Sequence, residues 1–209
     1  MRCLYIDTSS NFLYSGIVNG DKLETSVLER MDHELSKNAM LRISEMFKRV
    51  NLSPNDIDKI IVVNGPGSFT GIRIGITIAK VFAWGLDKEI SMISSLEAMA
   101  TSGSEASYIV PVIDARREYV YAAIYDENGK AILEPQHILL DQLRKRLSKL
   151  SNYQLISNDD INIDCEIKEY IPDILAIVKR YCDRPSQNPH TVNPNYLKLT
   201  EAEEKNKNV

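Results

Sequence analysis

Residues 4–29 read LYIDTSSNFLYSGIVNGDKLETSVLE, and this stretch decides the fold because its pattern returns later in the chain. It contains three apolar runs; the first ends at Asp7, and the last two are joined by Asn-Gly, a strong hairpin signal. Residues 108–133, YIVPVIDARREYVYAAIYDENGKAIL, repeat this order, with Asp114 ending the first run and Asn-Gly in the second hairpin. The repetition predicts two copies of one antiparallel three-stranded unit, and therefore an internal duplication.

The segments between and after these units alternate helical and extended patterns. Apolar residues recur at a spacing near 3.6 in residues 33–50, which predicts an amphipathic helix, and residues 60–63 are apolar on both faces like a buried central strand. The remaining predicted elements are a helix from residue 69, strands at 90–93 and 154–156, a helical turn at 96–100, and helices at 140–150 and 172–181.

These elements predict an α/β chain with two domains. The first is expected over residues 1–104 and a smaller copy over residues 105–209, with the boundary in the Thr-Ser-Gly-Ser-Glu segment at 101–105. Residues 184–190 have the composition of a linker, and the charged tail at 201–209 is expected either to fray or to pack back on the first domain.

Composition excludes several classes of protein. The net charge is −4 and the basic residues do not form one block, which disfavours tight nucleic-acid binding by this chain alone. The cysteines form no C-x-x-C pair and the histidines have no partner at i+3 or i+4, so no metal site and no catalytic residue is predicted. Charged residues interrupt the apolar stretch at 69–86 and the N-terminus lacks a signal-peptide core, so a cytoplasmic protein without a membrane span is expected.

Duplicated domains that open in this way resemble the ASKHA architecture of acetate kinase, sugar kinases, actin and chaperone ATPases, an actin-like and ribonuclease H-like fold. In that architecture the turn after the first strand meets phosphate. Asp7, Thr8 and Ser9 have suitable chemistry, because hydroxyls and amides hold phosphate oxygens and a carboxylate holds Mg²⁺. The alternative is a strand-ending turn closed by side chain to backbone hydrogen bonds, which leaves at most a vestigial phosphate turn.

A glycine-rich segment connects the buried strand to the next helix; it consists of Gly65, Pro66, Gly67, Ser68, Phe69 and Thr70. Amides and hydroxyls at a helix N-terminus can bind an anion. The segment lacks the Lys-Ser/Thr ending of a P-loop and the spacing of a dinucleotide loop, so neither motif is assigned. The alternative is a tight turn followed by a helix cap at Ser68 or Thr70.

The following helix has one face without side-chain bulk, formed by Gly71, Gly75, Ala79 and Ala83 at every fourth position. A glycine inside a helix costs about 0.8–1 kcal/mol relative to alanine, so another part of a protein is expected to approach this face closely. Two neighbours for the face remain open at this point: elements of the same chain, or a different chain.

Several segments together resemble the bacterial TsaB family. They are YIDTS at 5–9, GPGSFTGIRIG at 65–75, SLEA at 95–98, DAR at 114–116 with the Val-Tyr pair at 120–121, and PNYLK at 194–198. The run at 65–75 is highly specific, and the resemblance is dense over residues 1–125 and thin afterwards.

The resemblance implies a subunit that is not an enzyme by itself. Such proteins serve threonylcarbamoyladenosine formation at position 37 of tRNAs that read codons beginning with A, as scaffold and activator of the paralogue TsaD, with the ATPase TsaE as third component. It implies no cofactor bound by this chain alone and tRNA contact only through the complex, and it leaves open whether ATP or ADP binds at the interface with TsaD. TsaD holds metal through an H-x-E-x-H pattern, where this sequence has Ser95, Glu97 and Met99.

The resemblance also implies where the partner binds, since in the family the paralogues meet through the two helices of the first domain. The expected partner-binding residues are Met40, Ile43, Phe47, Gly71, Arg73, Gly75, Ile78 and Ala79. Without TsaD, the same surface is expected to form a homodimer.

Two other functions stay open from the sequence. An independent ATP-dependent kinase of the same architecture needs a complete nucleotide site, but no adenine-binding glycine pair follows Asp114. A peptidase, a label that relatives in this superfamily have carried, needs a metal pair or a nucleophile with a base, and neither is recognisable in the sequence.

Overall fold

The computed structural model describes residues 1–102 and 105–198, except for the side chain of His33. The chain forms two compact units, the first made of Met1–Gly103 with Ile171–Pro194 and the second made of Ser104–Tyr170 with Asn195–Val209. Each unit is built around its own five-stranded sheet.

The sheet of the first unit has the strand order β3-β2-β1-β4-β5. Its strands are β1 (Arg2–Asp7), β2 (Phe12–Asn19), β3 (Lys22–Arg30), β4 (Lys59–Val63) and β5 (Glu89–Ile93). β1, β2 and β3 form the predicted antiparallel unit, while β4 pairs parallel with β1 and β5 pairs parallel with β4. All five residues of β4 are buried, because β4 lies between β1 and β5 and α2 packs on it, and this agrees with its uninterrupted apolar run.

Helices lie on both faces of the first sheet. They are α1 (Leu35–Arg49), α2 (Phe69–Gly85), α3 (Ser95–Ala100) and, after α4 (Leu140–Leu147) of the second unit, α5 (Ile174–Tyr181). α1 and α2 share one face and touch through the rings of Phe47 and Phe82, whose centroids are 6.5 Å apart. α5 lies on the opposite face, where Ile174 occupies the space left by the missing side chain of Gly16.

The sheet of the second unit has the order β10-β9-β6-β7-β8. Its strands are β6 (Tyr108–Asp114), β7 (Tyr119–Asp126), β8 (Ala131–Leu139), β9 (Tyr153–Ser157) and β10 (Ile167–Glu169). β6, β7 and β8 are antiparallel, and β9 and β10 continue parallel to β6. Read from the first strand of each unit, the two sheets have the same topology, which confirms the predicted duplication.

The C-terminal boundary differs from the prediction that residues 105–209 form one second domain. Ile171–Pro194 belongs to the first unit, because Ile174, Ile177 and Val178 of α5 are buried against the first sheet. The segment 184–190, predicted as a linker, is ordered and leads into a 3-10 helix at Pro189–Thr191. The tail at 201–209 lies outside the described residues.

Within the described part of the chain, no helix is long and apolar enough to cross a membrane.

Candidate docking surface beside a closed phosphate turn

The turn after β1 satisfies its own polar groups. Asp7 is only 2% exposed, and its Oδ1 accepts hydrogen bonds from the Ser9 amide at 2.8 Å and the Ser9 hydroxyl at 2.7 Å. The Tyr5 hydroxyl donates to the other carboxylate oxygen at 3.3 Å. Burial raises the pKa of the Asp7 carboxyl above its usual value, while these hydrogen bonds act in the opposite direction. This geometry matches the second alternative from the sequence, a strand-ending turn closed by hydrogen bonds within the turn.

The glycine-rich segment closes over this turn. The Ser68 amide donates to the Ser9 carbonyl at 2.7 Å, so one of the donors predicted to hold an anion is used within the chain. A Cβ atom on Gly67 would lie 2.1 Å from the same carbonyl oxygen, which leaves no space between the two segments. The two segments with phosphate-binding chemistry therefore bind each other.

Ser68 also caps α2, as the sequence allowed, because its Oγ accepts a hydrogen bond from the Gly71 amide at 3.2 Å. Pro66 follows Gly65 through a cis peptide bond. On the other side of the segment, the Ser95 hydroxyl donates to the Pro66 carbonyl at 2.5 Å and the Ser95 amide donates to the Gly65 carbonyl at 3.0 Å. The segment is thus fixed between the β1 turn and α3.

The residues that align with the H-x-E-x-H pattern have structural contacts. Ser95 is buried under Pro66, and Met99 is buried in the core. Glu97 accepts a hydrogen bond from the Ser94 amide at 2.7 Å and forms a salt bridge with Arg184 at 2.7 Å. Neither a serine hydroxyl engaged in this way nor a thioether suits a hard metal ion. In the described residues, no group of three His, Cys, Asp or Glu side chains is placed to hold a metal.

The small-residue face of α2 packs within the chain. A Cβ atom on Gly71 would lie 2.0 Å from the Thr8 carbonyl oxygen, and a Cβ atom on Gly75 would lie 2.3 Å from Thr8 Oγ1. The Thr8 hydroxyl also donates to the Gly71 carbonyl at 2.7 Å. The sequence left open whether this face meets the same chain or a different one. In the structure it meets the β1 turn of the same chain, so Gly71 and Gly75 are not available to a partner.

Most other predicted partner-binding residues are buried as well. Ile43 and Ala79 are fully buried, and Phe47 and Ile78 are 3% and 7% exposed. Their apolar spacing predicted a packed face correctly, but the neighbours are the sheet and the facing helix. Among the predicted partner-binding residues, Met40 and Arg73 are exposed.

The solvent-facing side of the helix pair carries large apolar side chains, and two of them, Val81 and Trp84, were not predicted from the sequence. Four residues, hereafter the outer face of α2, point to solvent: Arg73, Thr77, Val81 and Trp84. Val81 is 59% exposed and Trp84 is 71% exposed, and on α1 Met40 is 45% exposed. The sequence contained a signal for this exposure, since Val81 and Trp84 follow Thr77 by four and seven residues and so lie on the same side of the helix as that polar residue.

The beginning of α2 adds an aromatic ring to this surface. Phe69 is 54% exposed, and the Arg73 guanidinium lies 3.8 Å above its ring centroid. Such a cation–π contact holds both side chains in one arrangement. The exposed apolar residues therefore extend from the first turn of α2 to its last.

A C-terminal segment, hereafter the strap (residues 184–193), runs along the first unit to the end of α2. The Arg184 guanidinium donates a hydrogen bond to the Met92 carbonyl at 2.9 Å. The Arg184 carbonyl accepts one from the buried Lys59 ammonium at 2.5 Å. Further along, the Gln187 amide donates to the Ile90 carbonyl at 2.8 Å, which covers the edge of β5. The strap then reaches α2, where Lys80 donates to two of its last carbonyls.

Comparison with known proteins identifies the family. A family model described as "TsaD: tRNA N6-adenosine threonylcarbamoyltransferase" matches residues 28–175. The tRNA threonylcarbamoyladenosine biosynthesis protein TsaB of Bacillus subtilis (strain 168) is 31% identical over 98% of this chain and 97% of its own length. The chain belongs to the TsaB family. The protein of the same name from Escherichia coli (strain K12) is 32% identical over 68% of each chain.

Solved structures agree with this TsaB-family assignment at the level of fold. A Pseudomonas aeruginosa protein described as similar to peptidase YeaZ superposes with a TM-score of 0.78 over 94% of this chain and 99% of its own, at 17% identity. YeaZ from Pseudomonas aeruginosa gives a TM-score of 0.70 at 18% identity. With the two matching sheets, this establishes the duplicated ASKHA fold expected from the sequence.

Proposed function

We propose that this TsaB-family chain is a non-catalytic subunit in tRNA threonylcarbamoyladenosine biosynthesis. It docks on a TsaD protein through the exposed side of α1 and α2 and activates threonylcarbamoyl transfer to adenosine 37 of tRNAs that read codons beginning with A. The observation that carries the proposal is a contrast within the first unit: the phosphate turn is closed by its own chain, while the neighbouring helix pair exposes Met40, Val81 and Trp84.

The closed turn supports a role without its own transfer chemistry. The Asp7 carboxylate accepts hydrogen bonds from Ser9 and Tyr5, and the Ser68 amide donates to the Ser9 carbonyl. A kinase of this architecture needs the turn to receive phosphate and Mg²⁺, so this arrangement disfavours the kinase alternative. The alternative predicts ATP turnover by the isolated chain, which we expect to be absent.

The exposed side of the helix pair supports docking on a protein. Tryptophan and arginine are enriched in the residues that dominate binding energy, and both occur on the outer face of α2 as Trp84 and Arg73. The TsaD family model matches this chain itself over residues 28–175, so a TsaD protein shares its architecture and has a corresponding helix pair. Two related domains can then pack through the same elements, as subunits of a twofold dimer do.

The proposal includes the other components. TsaE is expected to join the assembled pair, ATP or ADP to bind at the interface with TsaD rather than to this chain alone, and tRNA to bind through the complex. When TsaD is absent, the same exposed side of α1 and α2 is expected to pair with a second copy of this chain.

The test compares two exposed apolar positions. Val81→Asp places a charge in the centre of the outer face of α2, whereas Ile132→Asp places it at a 54% exposed position of β8 in the second unit. We expect Val81→Asp to weaken binding to the TsaD of the same organism by about 30-fold or more, because a buried unpaired charge is costly. Ile132→Asp should bind like the unmodified chain.

Binding is measured by calorimetry, and tRNA modification is assayed on the mixtures. If the unmodified chain ignores TsaD, or Val81→Asp binds as tightly as Ile132→Asp, the docking proposal is wrong. If the isolated chain modifies tRNA, the non-catalytic role is wrong.

A further inference from the structure

Trp84 is the most exposed large apolar side chain in the described residues and the chain's single tryptophan. It lies in the last turn of α2, and 71% of its surface is accessible. Burial of an indole releases a large apolar area, and its polar N–H tolerates a wet rim, so tryptophan is a frequent anchor in protein interfaces. An exposed indole at the edge of a proposed docking surface therefore suggests an anchor.

The Trp84 indole has an aromatic neighbour, the imidazole of His190 in the strap. The two ring centroids are 6.1 Å apart and the planes are inclined by 61°, an edge-to-face arrangement. The contact leaves most of the indole surface open, as its exposure shows. The imidazole thus packs against the indole without covering it.

The backbone of His190 is held by hydrogen bonds. Lys80, one helical turn before Trp84, donates to the His190 carbonyl at 3.3 Å and to the Val192 carbonyl at 3.2 Å. The His190 amide donates to the Asn188 side chain at 2.9 Å, which caps the 3-10 helix. The strap and the last turn of α2 are therefore joined at Lys80 and again at Trp84.

We infer that Trp84 is the anchor residue of the docking surface and that His190 is a positioning residue that holds the indole ready for the partner. The docking surface on α1 and α2 consequently extends to the last turn of α2, beside the strap, and the partner must present an apolar recess that accepts an indole. This inference rests on the docking function proposed above. A preoriented side chain loses less conformational entropy on binding, so the contact with His190 raises affinity without touching the partner.

Four variants separate the two roles in calorimetric titrations with the TsaD of the same organism. Trp84→Ala should weaken binding by about 30-fold or more, the range of an interface anchor. His190→Ala should weaken it by about 2- to 13-fold, the cost of ordering one side chain. His190→Phe, which keeps a ring beside the indole, should restore most of the affinity, and Ile132→Ala on β8 should leave it unchanged.

A spectroscopic measurement reports on Trp84 alone. The full chain labelled with 5-fluorotryptophan has one fluorine resonance, because it contains one tryptophan. Unlabelled TsaD should shift this resonance. In the free chain, His190→Ala should move the resonance towards the position of a freely rotating indole, and His190→Phe should not. A variant that only destabilised another part of the chain would not produce this difference.

The outcomes distinguish the inference from the function on which it rests. If the chain binds TsaD but the resonance does not move and Trp84→Ala binds normally, the anchor is wrong and the docking function stands. If Trp84→Ala weakens binding while His190→Ala changes neither affinity nor resonance, the positioning role is wrong. If the unmodified chain does not bind TsaD at all, both fail.

Discussion

At the scale of single residues, Thr8 explains why Gly71 and Gly75 occur in α2. Its hydroxyl donates to the Gly71 carbonyl, and its Oγ1 occupies the place where a Cβ on Gly75 would lie. The close approach predicted from the glycines is therefore made by a threonine from the first turn. A substitution at Gly75 consequently tests the fold of the first unit before it tests any interface.

A double-mutant cycle between Thr8 and Gly75 measures this contact. Gly75→Ala should lower the free energy of unfolding by about 1–3 kcal/mol, because its Cβ would lie 2.3 Å from Thr8 Oγ1. Thr8→Ala removes that oxygen and leaves the Thr8 Cβ at 3.6 Å, an ordinary contact. In the Thr8→Ala background, Gly75→Ala should therefore cost much less. Urea denaturation of the four proteins gives the coupling, and strictly additive effects would contradict the contact.

The raised pKa of the buried Asp7 carboxyl predicts that the stability of the chain depends on pH. Because burial raises the pKa of Asp7 in the folded chain, folding favours the protonated carboxyl relative to the unfolded chain. The contribution of Asp7 is fully present below its unfolded pKa of about 4 and is lost as pH rises through the higher folded value.

Asp7→Asn removes this titration, and it should therefore destabilise the chain less at pH 7 than at pH 4. Denaturant unfolding of both proteins across this range checks the sign. A cost of the substitution that grows with pH would show that the hydrogen bonds from Ser9 and Tyr5 outweigh burial.

At the scale of elements, α2 has two faces with different tasks. Its small residues meet the β1 turn, and its outer face exposes Val81 and Trp84. The helical period identified the first face from the sequence, because glycine spacing is a strong signal. Val81 and Trp84 lie on the same side of the helix as Arg73 and Thr77 and were not predicted to be exposed, because exposure of an apolar side chain depends on whether another element covers it, and the helical period does not encode this.

α5 is the element whose placement the sequence did not determine. Its apolar face predicted a packed helix, but any sheet can bury such a face, and the first sheet provides the niche at Gly16 for Ile174. Complete burial of an aliphatic side chain contributes about 1.5–3 kcal/mol, so exposing Ile174, Ile177 and Val178 would cost an amount comparable to a typical net stability of about 5–15 kcal/mol.

Truncation tests this placement. A chain ending at Tyr170 should lose cooperative unfolding of the first unit, because the face of the first sheet beneath α5 is exposed. A chain ending at Lys198 keeps α5 and the strap and serves as the control. Thermal unfolding followed by circular dichroism, with hydrogen exchange of the β1 amides, checks both. Equal protection of β1 in the two truncated chains would contradict the assignment of α5 to the first unit.

At the scale of the whole molecule, the two sheets repeat one topology with unequal additions. The first unit has α1, α2, α3 and α5 around its sheet, whereas α4 is the helix described in the second. In the first copy, the turn after β1 holds the glycine-rich segment of the same unit.

The sequence by itself determined the duplication, the antiparallel units, the helical faces and the TsaB family. These follow from patterns that are local along the chain: alternation, helical spacing, Asn-Gly turns and the run at 65–75. The tertiary structure alone decided what each face meets. It placed Thr8 against Gly71 and Gly75, α5 on the first sheet and His190 beside Trp84. A sequence pattern states that a face must be covered, but the identity of its neighbour depends on distant segments that share no period with it.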